Sequence, residues 1–121
     1  MIEGVGIDVV EVARIERAMR RAGFVERILT EAERSVIRTP GRVAGRWAAK
    51  EAISKALGCP LNWHDVEILP DSTGAPQVSV RGGFESRRIH LSITHERGHA
   101  AAVAIIESEA PSPRQPSNRR S

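Results

Sequence analysis

Residues 2–10 open the chain as a run of Ile2, Val5, Ile7, Val9 and Val10 broken by Gly4 and Gly6, and predict a first strand. The period then lengthens. Val12, Ile15 and Met19 recur at helical spacing, and Gly23 predicts the end of that helix. Another face of it carries Arg14, Arg17 and Arg21, with Arg20 at the edge. Thr30-Glu31-Ala32-Glu33 has the form of a capping box and predicts a short helix to about Arg38. Thr39-Pro40-Gly41 reads as a turn.

Residues 43–57 predict a long helix. Ala44, Ala48, Ala52 and Ala56 repeat every fourth position, a narrow stripe suited to close packing, and Gly58 and Pro60 stop it. The second half reads as strands and turns: a short strand at Val66–Leu69, a turn at Asp71–Gly74, and a strand at 77–81. Ile89, Leu91 and Ile93 then alternate with His90, Ser92 and Thr94, a hairpin turn spans His95–Gly98, and Ala100–Ile106 returns. Helices first and hairpins later predict a small α+β domain, a mainly antiparallel sheet packed with an Ala-rich central helix. It spans 1–109, and the Pro-, Ser- and Arg-rich residues 110–121 read as a disordered tail.

Charge changes the picture less than it first suggests. The pI is near 10.0 and the net charge is +3. Arg114, Arg119 and Arg120 carry that whole excess, because without them basic and acidic residues are equal in number. With a neutral domain and only Phe24, Trp47, Trp63 and Phe84 as aromatics, nucleic-acid binding is disfavoured. The single Cys59 excludes an internal disulfide and fits a reducing cytoplasm. No signal-peptide pattern opens the chain and no run of ~18 apolar residues occurs, so no membrane association is expected.

Four places could carry chemistry. Asp8 stands inside an apolar run, where an unpartnered carboxylate is costly. Either it meets solvent or an arginine, or it serves a hard cation such as magnesium, which prefers oxygen ligands. Glu51 and Lys55 share one helix face, either as a solvated pair contributing ~0.3–0.5 kcal/mol or as reactive groups. Lys50 and Lys55 are the only lysines against sixteen arginines, and both flank Glu51, which suggests that a compact, rotatable amine is wanted there. Ser92, Thr94 and His95 near a strand end read either as ordinary strand and turn residues or as contacts for phosphate or a thiol-bearing chain. The face of Arg14, Arg17 and Arg21 is either solvated or a dock for an acidic protein. No nucleophile elbow, Walker loop, zinc cluster or dinucleotide fingerprint occurs, and Gly4-Val5-Gly6 reads as close backbone approach.

Taken in order, GVGIDVVEVARI (4–15), RILTEAE (27–33), GRWAAKEAISKALG (45–58) and IHLSITHERGHAAAVAIIE (89–107) resemble the holo-acyl-carrier-protein synthases, the small bacterial 4′-phosphopantetheinyl transferases. The resemblance implies their fold, and transfer of phosphopantetheine from coenzyme A to a serine of acyl carrier protein with release of adenosine 3′,5′-bisphosphate. It implies Asp8 and Glu51 as magnesium ligands, Lys55 beside the pyrophosphate, and Glu51 as first choice for the base. Ser92, Thr94 and His95 would contact coenzyme A, with Arg46 and Lys50 at its phosphates. Arg14, joined by Arg17 and Arg21, would meet the acidic carrier. A homotrimer with sites between subunits is implied as well. A non-catalytic module binding coenzyme A or an acidic protein is the alternative.

Overall fold

A computed structural model describes residues 1–108. Strand β1 (Ile2–Glu11) leads into helix α1 (Val12–Met19), followed by α2 (Phe24–Ile28), α3 (Glu31–Val36) and the long α4 (Pro40–Leu57). A 3₁₀ turn at Trp63–Asp65 precedes β2 (Val66–Pro70), β3 (Pro76–Val80), β4 (Arg88–Glu96) and β5 (His99–Glu107). All pairings are antiparallel. One sheet has the order β1-β5-β4, and β2 pairs with β3 in a second. The expected α+β architecture with its Ala-rich central helix is what forms. The expected boundary at 109 and the tail at 110–121 lie outside the described residues.

The seam between β1 and α4 follows from glycine and alanine. On β1, alternate residues turn toward the helix: Gly6 and Val10 are buried, whereas Val5, Ile7 and Val9 face out. A Cβ at Gly4 would overlap the Ala56 carbonyl, and one at Gly6 the Ala52 carbonyl. The two glycines are therefore the close approach that the spacing suggested. Two strand residues and four helix residues rise by nearly the same ~6–7 Å, so the pairs Gly4–Ala56 and Gly6–Ala52 stay in step. Asp8 continues this series along the same face of β1, toward the N-terminal half of α4.

Several boundaries differ from the pattern reading. Helix α1 stops at Met19, where Arg20 and Arg21 close i to i+3 turns on Arg17 and Ala18, and not at Gly23. Gly23, at φ 84°, instead opens α2, a five-residue helix too short to show a period. Thr39-Pro40-Gly41 is the start of α4: Thr39 Oγ1 accepts from the Arg42 N–H, and Pro40 occupies the first turn, where its missing N–H costs nothing. The Thr30–Glu33 capping box is present in both directions. Among the described residues no helix is long and apolar enough to cross a membrane.

Candidate active site

The seam delivers Asp8 to the side of α4. Lys55 Nζ donates to Asp8 Oδ1 at 3.1 Å and to the Ile7 carbonyl at 3.1 Å. Asp8 thus has a partner, and the partner is Lys55, not an arginine. The pair is open: the Lys55 side chain is 57% exposed and that of Asp8 17%. Glu51 stands one turn before Lys55, in the direction in which β1 carries Asp8, and its carboxylate engages no protein donor among the described residues. It borders a small cleft, about 140 Å³, with Ser54, Leu61 and Trp63. Asp8 and Lys55 form an ion pair at the side of α4, and Glu51 lies one turn before Lys55 on the same helix.

Among the described residues no three His, Cys, Asp or Glu side chains gather into a metal cage. The donors that Asp8 and Glu51 offer are oxygen only and few. They fit a hard cation that completes its shell with substrate oxygens and water, and do not fit a zinc site.

Lys50 corrects an expectation. It is not free to meet a phosphate, because its ammonium donates to the Ile28 carbonyl at 2.8 Å, to Glu33 Oε1 at 2.8 Å and to the Trp63 carbonyl at 2.9 Å. Three donors meet three acceptors, and the Lys50 and Glu33 side chains are 2% and 0% exposed. Desolvation pushes the Lys50 ammonium below its ordinary value of 10.5, and the hydrogen bond and charge of Glu33 oppose that push.

His95 and Arg46 do come together. With Arg42, Ile93 and Gly74 they line a cleft of about 520 Å³ between the start of α4, the end of β4 and the β2–β3 turn. His95 Nε2 lies 3.0 Å from the Gly41 carbonyl, and Arg46 Nε donates to the Ile68 carbonyl at 3.1 Å. Burial lowers the Arg46 guanidinium from its ordinary value, Glu33 opposing and Arg42 adding to the shift. Arg42 went unnoticed in the sequence, and its i, i+4 relation to Arg46 is the signal that could have found it. Ser92 and Thr94 do not join this cleft. They pair across the sheet with Val103 and Ala101 and share the outward face, opposite to His95.

The arginine face gains a floor. Arg14, Arg17 and Arg21 line one groove with Phe24 and Trp47. Phe24 and Trp47 stack at 5.9 Å between ring centroids, and Trp47 meets Trp63 at 4.7 Å. Arg14 lies 5.7 Å from the Trp47 ring, and Arg21 and Arg27 lie 5.8 and 5.9 Å from Phe24. Arg27 extends the basic surface onto α2, a helix the pattern had not shown.

Comparison with known proteins gives the family. Residues 4–104 match the model of the 4′-phosphopantetheinyl transferase superfamily. A holo-[acyl-carrier-protein] synthase of Salinispora arenicola is 44% identical, over 88% of this chain and 99% of its own. The crystal structure of the Bacillus anthracis holo-(acyl-carrier-protein) synthase, a complex with CoA (3′,5′-ADP), superimposes with a TM-score of 0.82 at 39% identity, covering 90% of this chain and 99% of that one. The Helicobacter pylori synthase, a complex with coenzyme A, gives a TM-score of 0.80 at 31% identity, covering 85% and 99%. The chain belongs to the 4′-phosphopantetheinyl transferase superfamily, among its holo-[acyl-carrier-protein] synthase enzymes.

Proposed function

We propose that this enzyme moves the 4′-phosphopantetheine group of coenzyme A onto a serine of an acyl carrier protein. The observation that carries the reading is the Asp8–Lys55 pair where β1 crosses α4, with Glu51 one turn before Lys55 and bordering a cleft. The serine oxygen forms a bond to the phosphorus that bears pantetheine. The bond from that phosphorus to the bridging oxygen breaks, and adenosine 3′,5′-bisphosphate leaves.

Each residue has a part. Glu51, whose carboxylate meets no protein donor among the described residues, would accept the serine proton, directly or through water. Lys55 can turn its ammonium from Asp8 to the departing phosphate and neutralise the charge that develops there. Asp8 and Glu51 would hold magnesium, which when bound neutralises the pyrophosphate and polarises the phosphorus under attack. Arg42, Arg46 and His95 suit the phosphate-bearing nucleotide end of coenzyme A, in a cleft large enough for part of it. Arg14, Arg17 and Arg21 would receive the acidic carrier.

The assembly we propose is a homotrimer. Val5, Ile7 and Val9 are 61%, 63% and 59% exposed on the outer face of β1. They stand in register with Ile105, Val103 and Ala101 of β5, so the outward face of the sheet is an apolar patch. A second copy would cover it. Ser92 and Thr94, at the polar margin of that face, would then sit at the subunit boundary and meet coenzyme A bound by a neighbour. The lone thiol of Cys59 suits the reducing cytoplasm.

One experiment tests the reaction and the metal together. The protein is incubated with apo-acyl carrier protein, coenzyme A and magnesium, and the carrier is weighed. A gain of one phosphopantetheine, absent with chelator, is expected. No gain on a carrier that a known transferase does modify would refute transfer and leave a binding module.

A further inference from the structure

The residue immediately before Glu51 is buried, and its contacts reach well beyond its own helix. Lys50 Nζ is bound by α2 through the Ile28 carbonyl, by α3 through Glu33, and by the 3₁₀ turn through the Trp63 carbonyl. Glu33 extends the network. Its Oε1 also accepts from the Thr30 N–H at 2.8 Å, and its Oε2 accepts from the Ile68 N–H of β2 at 2.7 Å. Arg46, one turn before Lys50, takes the Ile68 carbonyl. Ile68, midway along β2, therefore has both its N–H and its carbonyl held by side chains. Thr30 Oγ1 closes the cluster by donating to Glu67 Oε2 at 2.6 Å.

The alanine stripe cannot do this work. Ala44, Ala48, Ala52 and Ala56 set how near α4 lies to β1, but methyl groups of one size resist rotation about the helix axis weakly. A helix turns ~100° per residue, so fixing Lys50 fixes the direction of Glu51. The same ammonium holds Trp63, which shares the small cleft with Glu51. A lysine suits the position where an arginine would not: its three N–H donors radiate from one atom toward three segments, whereas a planar fork aims at one partner.

We infer that the Lys50–Glu33 pair is a positioning device for the reaction, setting the angle at which α4 presents Glu51 and fixing the Trp63 wall opposite it. The inference rests on the transfer reading above. Lys50 touches no reacting atom and acts through its neighbours.

The test compares Lys50→Met with the double variant Lys50→Met/Glu33→Gln, both in the full chain. Trp47 and Trp63 are the only tryptophans, so emission reports directly on the wall. In the single variant a buried charge loses its partner, and the urea midpoint should fall. The double variant removes that charge and should recover part of the midpoint, since one of the two backbone N–H groups that Glu33 accepts from is left without its acceptor. If the pair positions Glu51, kcat stays at least about tenfold down in both variants, KM for coenzyme A stays within about threefold, and native-state emission shifts. Recovery of kcat together with the midpoint would reduce the pair to a stabilising contact and overturn the inference. So would wild-type kcat in the single variant, or loss of cooperative unfolding in both. A wild-type protein without transfer would instead refute the reaction itself. With transfer present in the wild type, unchanged native-state emission in the variants would overturn the positioning role on its own.

Discussion

Lys50 and Lys55 lie five residues apart on α4, and each meets a carboxylate, under opposite conditions. Lys50 and Glu33 are sealed from water, every donor of the ammonium is used, and both oxygens of the carboxylate are engaged. Lys55 and Asp8 lie 3.1 Å apart, the lysine exposed and the carboxylate partly buried, with the Ile7 carbonyl as the one further partner of Lys55 among the described residues. The closed pair holds elements in place, because leaving either member alone in the interior is costly. The open pair can part at little cost, because water replaces what is lost. One helix thus carries a fixed lysine and a free one, with Glu51 between them.

The comparison can be broken at Glu51 first. Glu51→Gln should lower kcat by ~10²–10⁴-fold and leave the unfolding midpoint within error, since no donor among the described residues depends on that carboxylate. Stopped transfer assays with urea titration on the same preparation decide it, and full activity would remove Glu51 from the mechanism. Lys50→Met should destabilise the fold by ~3–5 kcal/mol, the cost of an uncompensated buried charge. A loss below ~1 kcal/mol in urea titration would mean that the closed pair is not closed in solution. Replacing Arg14 and Arg21 with Glu should raise KM for the carrier by about tenfold or more while KM for coenzyme A holds, an effect that added salt shrinks. Equal loss for both substrates would refute the docking groove.

Smaller effects sharpen the contrast. Lys55→Met should cost transfer while changing stability by less than ~1 kcal/mol, because the Lys55 side chain is more than half exposed and water can reach the Asp8 carboxylate it leaves. A third pair lies still further out: His90 Nε2 and Glu107 Oε1 are 2.9 Å apart and exposed. The hydrogen bond from His90, aided by Arg88, holds the Glu107 carboxyl below its ordinary value of 4.5. A lowered carboxylate contributes stability that is complete above that ordinary value and is lost as pH falls through the folded one. His90→Ala should therefore raise the Glu107 titration measured by NMR and leave stability at neutral pH almost unchanged. An unmoved titration would assign the lowering to other groups.

These pairs also mark how far the sequence could be read. Asp8, Glu51 and Lys55 stood out as candidates because their residue types sit at telling places: an acid in an apolar run, and an acid and an amine one turn apart; that Asp8 pairs with Lys55 only the structure shows. Gly4 and Gly6 announced the close approach for the same reason. The capping box of Thr30 and Glu33 could be read locally, but its second duty toward Lys50 and Ile68 is a long-range contact that no local pattern encodes. The flanking lysines therefore looked alike in sequence and proved unlike in space. Helix α2 was too short for periodicity, and Pro40 carries the same letter whether it breaks a chain or starts a helix. Strand parity did hold the answer for β4. His95 shares its parity with Ile93 and Leu91, and Ser92 and Thr94 do not, so the three could never have lined one pocket within a single protomer.

The contact of Gly4 and Gly6 with α4 works as a spacer made entirely of main chain. Side chains can swap rotamers and repack, but two backbones already touching can come no closer and, within a filled core, have little room to part. The reach from Lys55 to Asp8 is therefore gauged by peptide geometry. A library that randomises the clefts around Glu51 to admit altered coenzyme A analogues could change many walls without disturbing that gauge, provided positions 4 and 6 stay glycine.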